Sequence, residues 1–242
     1  MLALAIGVIG FSRVPAAPPD RVAAPKRLLH SVIEGGRTVF SSASMRMVMI
    51  QNVAMAMFFM GSYIVTMPLL VREVYAGSAQ DLALMNGANS LGLVVTIVLL
   101  LRLGDVRRLG RALLLSQGIG ALVLAGAAVA PSFSIWVLAL FVWGTCGGIA
   151  MTMSRIVMQE QAPPAQRGRV MSFYSFSFMG AGPIGAVLNG YLVDVFGPQV
   201  TLMIASVSML AVIVLVGMGS RLWWLEGHAH QVLNEAEARS AV

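Results

Sequence analysis

Apolar residues run along this chain in six long blocks, Met47–Val71, Leu82–Leu101, Ala112–Ala130, Phe133–Met158, Val170–Val193 and Val200–Ser220. A helix rises about 1.5 Å per residue and needs about 20 residues to cross a bilayer core, so each block is long enough for one crossing. Backbone groups in lipid must bond within their own segment, which selects helices here because the alternation of a barrel strand is absent. The pattern predicts an all-α, six-helix membrane bundle over residues 47–220. Short polar breaks join the blocks in pairs at Arg72–Asp81, Pro131–Ser132 and Asp194–Gln199, and Gly197-Pro198 is a natural stop and restart for a helix.

Charge then fixes the expected orientation. With the blocks alternating in direction, all but Arg72 of the sixteen Lys and Arg fall on one side. The positive-inside rule makes that side cytoplasmic and places both ends of the chain there. Arg167 and Arg169 thereby mark a cytoplasmic loop between the fourth and fifth blocks. The net charge of +6 is a product of topology and calls for no nucleic-acid partner.

Ahead of the bundle, Met1–Phe11 is apolar but too short to span and has no basic start; it reads as the end of a preceding transmembrane helix. Residues 12–46 read as a cytoplasmic linker. Its first part is rich in Pro and Ala, and its second part carries Leu29, Val32, Ile33 and Phe40 near helical spacing, as an amphipathic segment on the inner surface would. Residues 221–242 read as a cytoplasmic tail opening on the interfacial pair Trp223-Trp224.

Composition agrees with this picture. The chain of 242 residues is 58% hydrophobic and only 11% charged, against about 25% charged in a soluble domain. No Asp, Glu, Lys or His lies inside a block, so the chain holds no obvious proton or ion relay at membrane depth. Its single cysteine, Cys146, reads as a small buried residue. Glu226, His228 and His230 lack the further ligands of a zinc site, so no metal is expected. No nucleophile–base pair, P-loop or dinucleotide fingerprint stands out, which leaves no basis for an intramembrane enzyme.

Uncharged polar residues are concentrated in blocks one, two, four and five. Asn52, Tyr63, Thr66, Asn86, Asn89, Thr145, Tyr174, Ser177 and Asn189 are candidates to line a polar substrate cavity; helix–helix hydrogen bonding is the competing role. Gly182, Pro183 and Gly185 are candidates for a flexing point in block five, with close packing as the alternative. Leu103-Gly-Asp105-Val106 and Leu192-Val-Asp194-Val195 sit at matching places in the two three-block groups, on opposite sides, as an inverted three-plus-three repeat requires.

These features resemble the C-terminal half of a major facilitator superfamily transporter. The matching stretches are IEGGRTVFSSASMR at 33–46, MPLLVREVYAG at 67–77, PAQRGRVMSFYSFSFMGAGPIGA at 164–186 and GYLVDVFGP at 190–198, and the nearest likeness is to the enterobactin exporter-like and drug efflux branch. The resemblance implies a twelve-helix whole of which this chain supplies helices seven to twelve. It also implies a cavity lined by helices seven, eight, ten and eleven, and a missing or separate N-terminal six-helix half as partner.

By the same resemblance, Asp105, Arg107, Arg108 and Arg111 correspond to the family's gating loop, here two residues longer between Asp105 and Gly110. Arg167, Arg169 and Asp194 are further gate or loop candidates. No cofactor is implied; coupling to an ion gradient, protons first, is. The expected function is export of small organic molecules, drugs or siderophores, across a cell inner membrane by alternating access. The rival is a non-transporting membrane fragment or interaction protein that pairs with another transporter half.

Overall fold

A computed structural model describes residues 25–104, 106, 108–219 and 223. Met1–Phe11, most of the Pro/Ala linker, Asp105, Arg107, and the tail apart from Trp223 lie outside the described residues, as do Glu226, His228 and His230. Every regular element among the described residues is helical. Helix α1 spans Pro25–Ser41 and α2 spans Ala43–Glu73, with wider π-type turns at Met55–Met60 and Ser62–Thr66. Helices α3 (Ala79–Leu103), α4 (Leu109–Ala128) and α5 (Phe133–Gln161) follow.

The last helical run, Arg167–Gly219, holds 53 residues. It would be about 80 Å long if straight, against a bilayer core of about 30 Å. It is two helices, α6 over 167–196 and α7 over 198–219, joined at Gly197, whose φ of 79° and ψ of 166° leave the helical region. That φ favours glycine, and Pro198 then starts α7 with its ring pre-set for a first turn. The third of the short connections, expected at Asp194–Gln199, is therefore a single bent residue instead of a loop. Thr201 seals the bend by donating its hydroxyl to the Gly197 carbonyl at 2.8 Å. The backbone stays helical through Pro183, so the break in this run falls at Gly197.

Several helices outrun their apolar blocks. Helix α2 starts four residues before Met47, where Ser42 accepts from the Met45 N–H as N-cap, and α5 continues to Gln161. Once a helix is held by packing, its backbone bonds carry it past the apolar run into the headgroup zone. At the opposite ends of α2 and α5, Tyr75, Phe133 and Trp136 form a ring cluster with centroids 5.6–5.9 Å apart, and the Tyr75 hydroxyl donates to the Ala130 carbonyl at 3.0 Å.

Two parallel helix pairs form the inner part of the bundle. Helix α2 lies against α6, with Gly61 facing Gly185 and with the Asn52 amide donating to the Tyr174 carbonyl. Helix α3 lies against α5, with Gly92 facing Phe141 to Thr145 and Gly144 facing Asn89. Exchanging the first three spans with the last three maps one pair onto the other, which is the pairing an inverted repeat demands.

The two contacts are also built alike. On α6, Gly185 gives the close approach, and Asn189 one turn on donates across to the Met57 carbonyl at 3.2 Å. On α3, Gly92 gives the close approach, and Thr96 one turn on donates across to the Thr145 carbonyl at 2.7 Å. A spacing of four keeps both residues on one helix face. Helices α4 and α7 pack outside these pairs, burying Leu113, Leu124, Leu202 and Met209.

Candidate functional site

Helices α2, α3, α5 and α6 together enclose a concave pocket of about 270 Å³ near the middle of the bundle. These are the four helices whose polar content marked them in the sequence. The wall itself is mainly apolar and aromatic. Met55, Phe59 and Tyr63 recur every four residues along α2, and Trp143, Gly147 and Met151 do so along α5. Each trio therefore lines up on one face. Asn89 and Leu93 of α3 and Phe178 of α6 complete the main contacts. The Tyr63 ring stacks on Trp143 at 5.9 Å and Phe59 meets Trp143 edge-on at 5.7 Å. A second depression of about 420 Å³ shares Leu93 and Met151 with the first and continues past Thr96 and Thr152 to Arg155 and Gln159. The two together lead from the bundle centre toward the arginine-rich end.

The polar candidates divide. Tyr63 and Asn89 line the pocket, and the Tyr63 hydroxyl donates to the Asn86 amide oxygen at 2.6 Å on an exposed face. Asn52, Thr66 and Asn189 are 3%, 0% and 1% exposed, which puts them in contacts between helices of this bundle. Asn189 is the centre of that contact: its amide oxygen accepts from Ser62 at 2.9 Å and Thr66 at 3.2 Å, and its NH₂ donates to Met57 and Gly185 carbonyls. Tyr174 is buried with its hydroxyl 3.0 Å from the Ser154 hydroxyl. Thr145 and Ser177 donate back to carbonyls of their own helices, at 3.1 and 2.8 Å. The expected polar cavity is thus an aromatic and Met-rich one with a few polar groups at its edge.

Of the flexing candidates, Gly185 is a contact point, because a Cβ there would overlap the Met57 backbone. Gly182 faces the Met60 sulfur, 3.5 Å from where its Cβ would stand.

The loop candidates also divide. Asp105 and Arg107 lie outside the described residues. Arg108 is exposed at the start of α4. Arg111 donates to the Trp223 carbonyl at 3.3 Å and lies 5.2 Å from the centre of the Trp223 ring. Asp194 is exposed one turn before Gly197, and Arg167 is exposed at the head of α6. Arg169 forms an ion pair with Glu34 of α1, while Thr38 bonds Gln166.

These contacts tie α1 to the start of α6. Gly35 lies so close that a Cβ would overlap the Arg169 carbonyl, and Gly36 faces the Phe173 ring. The docked face of α1 is therefore Gly35, Gly36 and Val39, while Ile33 and Phe40, of the apolar face expected to lie on a membrane surface, are 68% and 56% exposed to the outside of the bundle. Leu29 and Val32 lie outside the residues described with side chains. The paired glycines, which weaken an isolated helix, here allow backbone to meet backbone. Gly35→Val is expected to undock α1. Limited trypsinolysis at Arg37 should then speed up about tenfold, the effect of overpacking worth at least about 1.4 kcal/mol. Unchanged cleavage would mean that α1 is not held through Gly35. The ion pair itself is half-exposed and adds little.

Residues missed from the sequence are the wall groups Met55, Phe59, Leu93, Trp143, Met151 and Phe178, together with Arg155. Their signal was the four-residue recurrence on α2 and α5, which is hard to tell from ordinary core packing.

Comparison with known proteins agrees with this architecture. A family model described as the Major Facilitator Superfamily matches residues 49–241. Among curated proteins, the D-xylose-proton symporter-like 2 protein of Arabidopsis thaliana is 29% identical over 154 residues, which is 62% of this chain. The chain spans 29% of the length of that relative. With its helices long and apolar enough to cross a membrane among the described residues, its two like-built helix pairs and a family match over most of its length, the chain belongs to the Major Facilitator Superfamily of membrane transporters.

Proposed function

We propose that this chain forms one six-helix half of a secondary transporter that exports small, largely apolar or aromatic organic molecules across a cell inner membrane, with both ends cytoplasmic. The observation that carries this reading is the pocket between α2, α3, α5 and α6, faced by Phe59, Tyr63, Trp143, Phe178 and methionines, with Asn89 as its amide. Aromatic faces and thioethers adapt to varied apolar ligands, and a few polar groups orient them. A sugar needs many paired donors and acceptors, so the wall favours a less polar cargo than the one in the relative's name. The partner is a second six-helix bundle facing the same pocket. The two halves would rock about it in the bilayer, closing alternate sides.

Proton coupling is supported by the symporter named among the relatives. The carboxylates on helices α2 to α7 (Glu73, Asp81, Glu160 and Asp194) all lie outside the apolar blocks, so in this reading the proton-carrying acid belongs to the partner half. The way from the pocket past Arg155 suits loading from the arginine-rich side, and hence export.

Gly147 offers the test. It borders the pocket, and a Cβ there would meet nothing within 4 Å. Gly147→Leu therefore starts from open space and extends its side chain into the pocket. Export of a hydrophobic fluorescent dye from cells expressing the protein is expected to fall at least about tenfold, since one well-placed apolar group is worth about 1–3 kcal/mol of discrimination. The melting temperature should stay unchanged. Gly126→Leu, whose position is also open, serves as the control. Full export by Gly147→Leu would remove the pocket from the path. No export by the unaltered protein would favour a non-transporting interaction role.

A further inference from the structure

Arg155 takes no part in the contacts between helices. It lines the depression of about 420 Å³ beside α3 and α5, and among the described residues it forms neither an ion pair nor a hydrogen bond. Three other arginines of the same end are engaged. Arg46 donates to the Phe40 carbonyl, Arg111 donates to the Trp223 carbonyl, and Arg169 pairs with Glu34. The hydroxyls beside Arg155 already donate to backbone, Thr96 to the Thr145 carbonyl at 2.7 Å and Thr152 to the Gly148 carbonyl at 2.8 Å. No carboxylate lines the depression among the described residues. The donors left open at its polar end are the Arg155 guanidinium and, one turn on, the Gln159 amide.

The spacing along α5 ties these donors to the pocket. Trp143, Gly147 and Met151 line the pocket, Met151 also lines the depression, and Arg155 and Gln159 continue the four-residue interval. Helical side chains lean toward the N-terminus of their own helix, which on α5 is from Arg155 back toward Met151 and the pocket. From Gly147 to Arg155 is eight residues, about 12 Å of helix. One molecule can cover that distance with a flat aromatic body at Tyr63 and Trp143 and an acidic group on a short spacer.

A wholly apolar cargo would leave the guanidinium without a partner in the loaded cavity. A carboxylate or sulfonate accepts two of its N–H groups side by side, with a charge to match. We infer that Arg155 selects cargo by charge and that the site takes amphipathic organic anions, the aromatic body against Trp143 and the carboxylate or sulfonate on Arg155. This inference rests on the cargo reading above and narrows it. A lipid phosphate offers the guanidinium the same chemistry, so the test separates the two sources.

The test is binding to the purified full protein in phosphatidylcholine nanodiscs, read by energy transfer from tryptophan to pyrene. The two probes, pyrenebutyrate and pyrenebutanol, differ only in the group that ends the chain. The ratio of affinities, acid over alcohol, is expected to be about tenfold higher in the unaltered protein than in Arg155→Gln, the effect of one charge-assisted contact. Arg155→Lys should recover part of the ratio, since an ammonium keeps the charge without the paired donors. Arg37→Gln removes an exposed charge of the same end from outside the depression and should leave the ratio as it was. A ratio untouched by Arg155→Gln would overturn the proposal. Equal loss of acid and alcohol would overturn it too, because Arg155 would then only shape the cavity. Loss of the ratio in phosphatidylglycerol nanodiscs would assign the guanidinium to lipid phosphate and overturn it likewise. In each of these cases the alcohol still binds the unaltered protein and the cargo reading stands, whereas binding of neither probe would overturn both.

Discussion

Gly185→Ala is expected to melt at a much lower temperature than Gly190→Ala, although the two positions lie five residues apart on one helix. A methyl at 185 would overlap the carbonyl and Cα of Met57, whereas a methyl at 190 would meet nothing within 4 Å. Three more glycines share the first condition. A Cβ on Gly61 would stand 2.6 Å from the Asn189 amide nitrogen and 2.7 Å from the Gly185 carbonyl. On Gly92 and Gly144 it would overlap the Phe141 and Asn89 carbonyls.

In each of these cases the obstacle is backbone, which cannot rotate away as a side chain can. Overpacking costs about 1–3 kcal/mol, and contact with main chain puts these sites at about 3 kcal/mol. That is a large part of a total stability of about 5–15 kcal/mol. The helices would have to part, and the cross-helix bonds of Asn189 or Thr96 would lengthen with them. At Gly190, alanine should be neutral or slightly stabilising, because it improves helix propensity by about 1 kcal/mol. The check is the fraction of each variant that stays monodisperse on size-exclusion after a heating series. Equal melting of Gly185→Ala and Gly190→Ala would show that α2 and α6 do not touch at this level.

The contrast between these glycines shows what the sequence could and could not convey. The number of crossing helices, the stop at Gly197-Pro198 and the four helices around the pocket were all legible, because run length, charge side and polar content are properties of single segments. Which residue of a helix faces which neighbour is a property of pairs. Gly185 and Gly190 look alike in sequence, as do Asn89 and Asn189. Only the assembled bundle sets Asn189 opposite Ser62 and Thr66 and turns Asn89 to the pocket. The apolar wall escaped notice for a related reason. Met55, Phe59 and Tyr63 form a stripe that any buried helix face would show, and the pocket arises only where α5 answers with Gly147 instead of another large side chain. The docked face of α1 is a property of pairs as well: Gly35 and Gly36 carry no side chain to mark a face, and their use shows only in the close approach to Arg169 and Phe173.

Asn189→Leu is the other substitution expected to have a large effect, and it separates a structural role from a cavity role. The amide orientation is fixed by its partners, since two carbonyls can face only the NH₂ and two hydroxyls then donate to the oxygen. Leucine would remove all four bonds, three of which cross to α2, and would strand the Ser62 and Thr66 hydroxyls in a buried contact. Cross-helix bonds in membranes average about 0.6 kcal/mol and reach about 1.7 kcal/mol, so three are worth roughly 2 kcal/mol. The branched side chain adds overlap beside Gly61, where the amide nitrogen already fills the space. Asn189→Asp keeps the size and the hydroxyl acceptor but turns the other oxygen against two carbonyls, so it should destabilise as well. A double-mutant cycle with Ser62→Ala gives the clearest result. Ser62→Ala should cost about 0.5–1 kcal/mol in the unaltered protein and much less once Asn189 is leucine, because its partner is already gone. Fully additive losses, or a change of transported cargo at unchanged stability, would place Asn189 in the cavity wall and not in the α2–α6 contact.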